Sequence, residues 1–279
     1  MRSDQLFDRL INAITLPVSE GEKRAIVRWL LEDRLGCSFA TIQSGLNTEK
    51  DEAAFDSDLQ RINRHEPLQY ILGHMDFYGR RFSVSPAVLI PRPETELMVH
   101  QVIQTVGKSF SGKVIDIGTG SGCIAISLAL ELPNSQVLAT DIDIAVLNTA
   151  TQNAARLGAR VTFLKHDILH EPFSFQPLDI VVSNPPYILE AERLSMSKNV
   201  TAYEPPGALF VPDSDPLVFH RTIAQKAASS LKPGGLLFLE LNEALGPETA
   251  ECLMRAGFTE VALNKDLDGK NRFVTGRRP

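Results

Sequence analysis

At Lys113 the chain changes rhythm, and short apolar segments begin to alternate with stretches of helical length. Lys113 to Ile117, Gln136 to Thr140, Val161 to Leu164, Asp179 to Ser183 and Leu236 to Leu241 read as strands, and most are apolar through their length. A strand that is apolar on both faces must be covered on both, so the pattern predicts an α/β fold whose parallel sheet lies between helices. The chain closes differently. Phe258 to Leu263 and Arg272 to Thr275 flank Asp266-Leu267-Asp268-Gly269-Lys270, a hairpin signature that predicts an antiparallel strand on the sheet edge.

Upstream the periodicity is helical. Leu6, Leu10, Ile11 and Ile14 share one helix face, and Ser19 with Glu22 forms a capping-box signature ahead of Ile26, Leu30 and Leu31, with Gly36 placed to end that helix. Thr48 with Asp51 repeats the signature before Phe55, Leu59 and Ile62, and Pro67 closes the segment. From about Tyr70 to Ile90 apolar and polar residues alternate through Phe77, Tyr78-Gly79-Arg80, Phe82 and Val84, which predicts a hairpin. Pro91, Pro93, Glu94 and Glu96 then open a helix bearing Val99, Val102, Ile103 and Val106. The expected organisation is a helical domain over residues 1–70, a linking hairpin over 71–90 and an α/β domain over 91–279.

Composition narrows the function classes. With 28 basic against 34 acidic side chains the formal charge is −6, which argues against broad nucleic-acid binding because phosphate neutralisation needs a basic surplus. Met1-Arg2-Ser3-Asp4 leads into an amphipathic segment, so no secretory or transit signal is expected. The longest apolar run, Cys123 to Leu130, is broken by Ser127 and falls short of the roughly 20 residues that cross a bilayer. Cys37, Cys123 and Cys252 read as buried free thiols of a reducing cytoplasm, and the six His residues show no ligand spacing, so no metal site is expected.

Chemistry concentrates where strands end. Asp116-Ile117-Gly118-Thr119-Gly120-Ser121-Gly122 stands between the first parallel strand and a helix, where glycines let backbone N–H groups approach a ligand. A dinucleotide fingerprint needs a glycine three positions after Gly120, and that position is Cys123. A tight turn without a ligand is the other reading. Asp141 ends the second strand, where a carboxylate accepts from a ribose diol or caps the next helix, a task Asp143 can equally perform. Asp167, past the third strand, reads by itself as a solvated loop acid.

Ser183-Asn184-Pro185-Pro186-Tyr187 follows the fourth strand. The prolines stiffen the backbone and remove two donors, leaving carbonyls free to accept from an NH2 group, while Tyr187 offers a flat stacking face. A rigid turn is the alternative. The glycine pattern resembles motif I of class I S-adenosylmethionine (AdoMet) methyltransferases, and Asn-Pro-Pro-Tyr resembles the motif of methyltransferases acting on planar NH2 groups of glutamine or adenine. An amide nitrogen is a weak nucleophile, so orientation must do most of the work. The Asn184 side-chain oxygen and the Pro185 carbonyl would accept its two protons, with no strong general base required.

Further stretches narrow the resemblance: Phe82 to Glu96, Tyr203-Glu204-Pro205-Pro206-Gly207-Ala208-Leu209, and Asp266 to Arg272. With Asn184 to Tyr187 they resemble the release factor glutamine methyltransferase family, over roughly the final three quarters of the chain. That resemblance implies a class I AdoMet-dependent, Rossmann-like fold with a seven-stranded, mainly parallel sheet and a small N-terminal helical domain that docks substrate. It implies methylation of the glutamine in the Gly-Gly-Gln loop of peptide chain release factors; the acidic charge, the missing span and the missing leader add the expectation of a cytoplasmic setting without stable nucleic-acid or membrane binding. On AdoMet it places Gly118, Thr119, Gly120, Ser121, Gly122, Asp141, Asp167, Ile168 and Asn184; on the glutamine it places Asn184, Pro185, Pro186 and Tyr187. Two rivals remain: an adenine-N6 nucleic-acid methyltransferase, which would flip a base onto Tyr187, and a dinucleotide-type dehydrogenase or binding module.

Overall fold

Ser19 accepts a hydrogen bond from the Glu22 N–H at 3.2 Å, and Gly36 ends the same helix in the left-handed conformation at φ 66°, so both punctuation marks read from the sequence act as written. The computed structural model describes residues 2–45 and 52–279; the Thr48 and Asp51 signature lies outside the described residues. In the helical part α1 (Ser3–Ala13), α2 (Glu20–Leu35), α3 (Phe39–Gln43), α4 (Glu52–Asn63) and α5 (Leu68–Leu72) surround a core of Leu6, Leu10, Leu30, Leu31, Ile42 and Phe55. Two of these helices are five residues long, too short to establish a 3.6-residue period. One of them, α5, replaces the alternation expected from Tyr70, and Pro67 opens it instead of closing the segment before it.

The chain divides into two units, Met1–His74 with Ser197–Tyr203, and Met75–Met196 with Glu204–Pro279. Within the first, the Tyr203 hydroxyl donates to the Arg64 carbonyl at 2.7 Å, tying the late segment to the end of α4.

The hairpin β1 (His74–Phe77) and β2 (Arg80–Ser83) turns on Tyr78 at φ 49° and Gly79 at φ 71°, the two left-handed residues of a type I′ turn. There follow α6 (Pro93–Val106), β3 (Lys113–Ile117), α7 (Cys123–Glu131), β4 (Gln136–Asp141), α8 (Ile144–Leu157), β5 (Val161–Lys165), β6 (Leu178–Ser183) and β7 (Ile188–Leu189). The remaining elements are α9 (Lys198–Thr201), β8 (Phe210–Val211), α10 (Val218–Ser230), β9 (Leu231–Glu240), α11 (Gly246–Arg255), β10 (Thr259–Lys265) and β11 (Asn271–Arg277). The seven-stranded sheet has the order β10-β11-β9-β6-β3-β4-β5, with β9, β6, β3, β4 and β5 parallel. Side chains alternate between its two covered faces: Val114 and Val182 pack with Met98, Val102 and Ile126 of α6 and α7, while Ile115 and Val181 pack with Ile223 and Leu253 of α10 and α11.

Two expectations need correction. The antiparallel strand is not at the edge: β11 pairs antiparallel with both β9 and β10, and β10 forms the edge. Burial explains the order, since β11 carries Phe273, Val274 and Gly276 into the interior while β10 leaves Glu260 and Lys265 in solvent. Strand β9 also starts at Leu231, five residues early, because a bulge between the Leu178–Leu231 and Ile180–Leu236 pairs absorbs Lys232 to Gly235. Of the free cysteines only Cys123 is buried; Cys37 and Cys252 are partly exposed. Among the described residues no helix is long and apolar enough to cross a membrane, and no cluster of His, Cys, Asp and Glu could hold a metal.

Candidate active site

The chain runs from β3 outward to β4 and β5, then returns to place β6 on the other flank of β3, so the loops at the strand ends part at β3. In open parallel sheets this reversal is where ligands bind. The turn after β3 holds Gly118 at φ 70° and Gly120 at φ 56°. An added Cβ at either would meet nothing within 4 Å, so backbone conformation and not space demands glycine there. Asp116 is fully buried; its Oδ2 accepts from the Thr119 hydroxyl at 2.7 Å and the Ala125 N–H at 3.2 Å, locking the turn from beneath. Burial pushes its carboxyl up to about 7. Asn153 of α8 fixes the turn laterally, donating to the Ser121 carbonyl at 2.9 Å while pairing with both backbone groups of Ser83 on β2.

Asp141, the last residue of β4, accepts the Gly120 N–H at 3.0 Å. Burial raises its carboxyl above the usual range despite bonds from the backbone N–H groups of Gly120, Asp143 and Ile142. The helix-capping task falls to Asp143, which accepts the Ala145 N–H at 2.7 Å. Asp167 sits past β5 with its Oδ1 accepting from the Leu169 and His170 N–H groups and its Oδ2 2.8 Å from His170 Nδ1. Partial burial raises its carboxyl, but those bonds outweigh that and hold it below the usual range.

A cavity of about 520 Å³ joins these groups, within the size range of small-molecule sites. Gly118 to Ser121, Asp141, Asp167, Ile168, Asn184 and Pro186 line it, facing Ala87 to Leu89, Pro91, Arg92 and Thr95. Gly122, Pro185 and Tyr187 do not line it. Gly122 caps α7, where a Cβ would come within 2.8 Å of Ile126 and 3.1 Å of Ala150, so its service is close helix packing. Pro185 is buried, and the Tyr187 hydroxyl turns away to donate to Glu240 Oε1 at 3.0 Å.

Thr95 and Glu204 stand in stretches that carry the resemblance but have no role assigned by it, and Glu240 and Asn153 stand in no motif. Asn184 Nδ2 lies 3.3 Å from the Thr95 hydroxyl, which in turn donates to Glu240 Oε2 at 2.6 Å. Glu240 is buried at the end of β9, and burial pushes its carboxyl up to about 7. A lone acid closing the apolar run Leu236 to Leu239 was the available signal.

The family model for the methyltransferase small domain matches residues 94–202, and that for the PrmC N-terminal domain matches residues 16–73. The release factor glutamine methyltransferase of Bacteroides thetaiotaomicron is 39% identical over 261 residues, covering 92% of this chain and 93% of that protein. The release factor glutamine methyltransferase of Flavobacterium psychrophilum is 43% identical over 223 residues, 79% and 78% of the two chains. This chain belongs to the release factor glutamine methyltransferase family. The fold agrees: a methyltransferase from Pyrococcus furiosus superposes with a TM-score of 0.54 at 19% identity over 72% of this chain and 90% of that one. A Thermus thermophilus 16S rRNA methyltransferase, solved with AdoMet and guanosine, gives 0.54 at 18% identity over 74% and 50%.

A member of this family is an AdoMet-dependent methyltransferase. The residues present suit that cofactor: the glycine turn offers backbone donors, Asp141 a carboxylate, and Ile142, Ile168 and Leu169 an apolar wall. The Ser121 hydroxyl is buried in the cavity lining with the Cys123 thiol, a weak hydrogen-bonding group, beside it, so its remaining capacity suits a bound polar group.

Proposed function

We propose that this enzyme methylates the side-chain amide nitrogen, N5, of the glutamine in the Gly-Gly-Gln loop of a peptide chain release factor. Bound AdoMet supplies a sulfonium methyl, an intrinsically strong electrophile. Gly118 to Ser121 and Asp141 would hold it, the Asp141 carboxylate being the group suited to its ribose hydroxyls, Ile168 to apolar contact with its adenine and Asp167 to its amino group. The observation that carries the reading is Asn184, which lines the cavity and lies 3.3 Å from the Thr95 hydroxyl through its amide nitrogen, leaving its oxygen for the substrate NH2. Asn184 Oδ1 and the Pro185 carbonyl would accept the two amide protons and so fix the direction in which the nitrogen faces the methyl that the cofactor would supply. The charge that develops on nitrogen then meets preoriented dipoles, and the methylated amide gives up its proton readily to water. Tyr187 and Pro186 bound the slot for the glutamine side chain.

Residues 1–70 serve as the docking surface for the factor, a task that a cavity of this size does not perform. An adenine-N6 activity would use the same asparagine, but a duplex substrate needs base flipping and many phosphate contacts, and the chain carries a charge of −6. The test is incubation with AdoMet and a bacterial release factor, followed by peptide mass mapping, beside labelled-methyl incorporation into DNA and RNA. One added methyl on the glutamine of the Gly-Gly-Gln loop supports the reading; label in adenine with that glutamine unmodified overturns it.

A further inference from the structure

Asn184 is held by a chain of groups that no local motif contains. Its Nδ2 lies 3.3 Å from Thr95 Oγ1, Thr95 Oγ1 lies 2.6 Å from Glu240 Oε2, and the Tyr187 hydroxyl lies 3.0 Å from Glu240 Oε1. Thr95 and Glu240 are both buried, 2% and 4% exposed, so water does not substitute for these bonds. Above about pH 7, where Glu240 is ionised and where the tests below are run, its carboxylate has only acceptor sites, and a hydroxyl has one hydrogen. Glu240 therefore takes the Thr95 hydrogen, and Thr95 is left with lone pairs alone to offer Asn184. Only the NH2 end of the Asn184 amide satisfies a lone pair, which turns Oδ1 to the opposite side.

We infer that Thr95 and Glu240 are positioning residues that set the polarity of the Asn184 amide and so present its oxygen to the substrate nitrogen. The inference rests on the methylation of a glutamine amide proposed above. Glu240 does not line the cavity, and Thr95, which does, spends its hydroxyl hydrogen on Glu240. Their service is to exclude the flipped amide, in which Nδ2 would face the substrate NH2 and two donors would meet. Tyr187 takes part by occupying the other carboxylate oxygen, which keeps Glu240 an acceptor aimed at Thr95.

The variants are chosen to keep volume and change only hydrogen bonding. Thr95→Val removes the hydroxyl, Thr95→Ser keeps it, and Glu240→Gln introduces a donor that faces Thr95 and frees the Thr95 hydrogen for Asn184 Oδ1. Full-length proteins are assayed for release factor methylation, with AdoMet affinity measured by calorimetry as the check on folding. Thr95→Val and Glu240→Gln are expected to lower kcat about tenfold or more while the KM for the release factor and the AdoMet affinity stay within about threefold. Thr95→Ser is expected to keep kcat within about threefold, and the Thr95→Val/Glu240→Gln double variant to be no slower than the slower single, because one chain is broken only once. A Thr95→Val protein with wild-type kcat overturns the inference, as does equal damage from Ser and Val, or a loss of AdoMet affinity that matches the loss of kcat. Wild-type protein that leaves the release factor unmodified is a different failure, since it removes the function reading and this inference with it.

Discussion

The Glu204 carboxylate accepts from the Arg92 guanidinium at 2.7 Å and from the Ile90 N–H at 3.2 Å, joining groups 112 and 114 residues apart in sequence. Glu204 is buried, with only 1% of its side chain exposed, while Arg92 keeps 30%. The bond fastens the Ala87 to Arg92 wall of the cavity to Pro205, Gly207 and Ala208 on its rim. It explains why an arginine set between two prolines and a glutamate before two prolines occur in one chain, since each proline pair stiffens the loop that presents its charge.

Removing Arg92 leaves a buried carboxylate without its counter-charge, a change that costs about 3 to 5 kcal/mol when both partners are fully buried. With Arg92 partly exposed, Arg92→Ala is expected to lower stability by about 2 to 3 kcal/mol. The Arg92→Ala/Glu204→Gln double variant should recover part of that loss, because no uncompensated charge stays buried. Urea denaturation of the three proteins decides it, and a loss below about 0.5 kcal/mol for Arg92→Ala would show the pair to be ornamental.

Asp141 lines the cavity, and its capping alternative is taken by Asp143. Asp141→Ala is expected to weaken AdoMet binding by about 1.5 to 3 kcal/mol, the worth of hydrogen bonds to a charged group, or roughly 10- to 150-fold in Kd. Calorimetry reads it directly. Unchanged affinity in a folded variant moves the ribose partner elsewhere.

Glu240 titrates near 7 when folded, against an ordinary value of 4.5. Between those pH values the folded state holds a proton that the unfolded chain has released, so stability falls as pH rises through the window. Glu240→Gln has no such proton. Its stability relative to wild type should therefore improve from pH 5 to pH 8, by at most about 3 kcal/mol. Thermal unfolding of both proteins at the two pH values tests the sign, and a constant offset would place the titration of Glu240 outside this window.

All residues lining the cavity fall in the second unit, Met75–Met196 with Glu204–Pro279. Deleting residues 1–74 is expected to leave AdoMet affinity within about threefold and to lower methylation of an intact release factor about tenfold or more. A folded truncation that has lost AdoMet binding would assign the helices to the cofactor site, and one with full activity would remove their docking role.

Much of this molecule is written locally. The apolar runs delimit β3, β4, β5 and β6 to within a residue, and the turn chemistry marks Gly118, Gly120 and Asp141. Asn184 follows β6 directly, so the strand itself carries it to the cavity. Such features are legible because pleat, helical period and positive φ are decided by neighbours a few positions apart. Helices α3 and α5 were not legible, since five residues hold too little of a helical period, and neither was the place of β11, because a strand's own pattern does not name its neighbour. The tertiary structure alone sets Thr95 against Glu240, 145 residues away, and Arg92 against Glu204. Those bonds exist because packing α6 beside β9 and folding the proline-bound loops together brings buried donors and acceptors within reach, where each must find a partner or bear the full cost of leaving water.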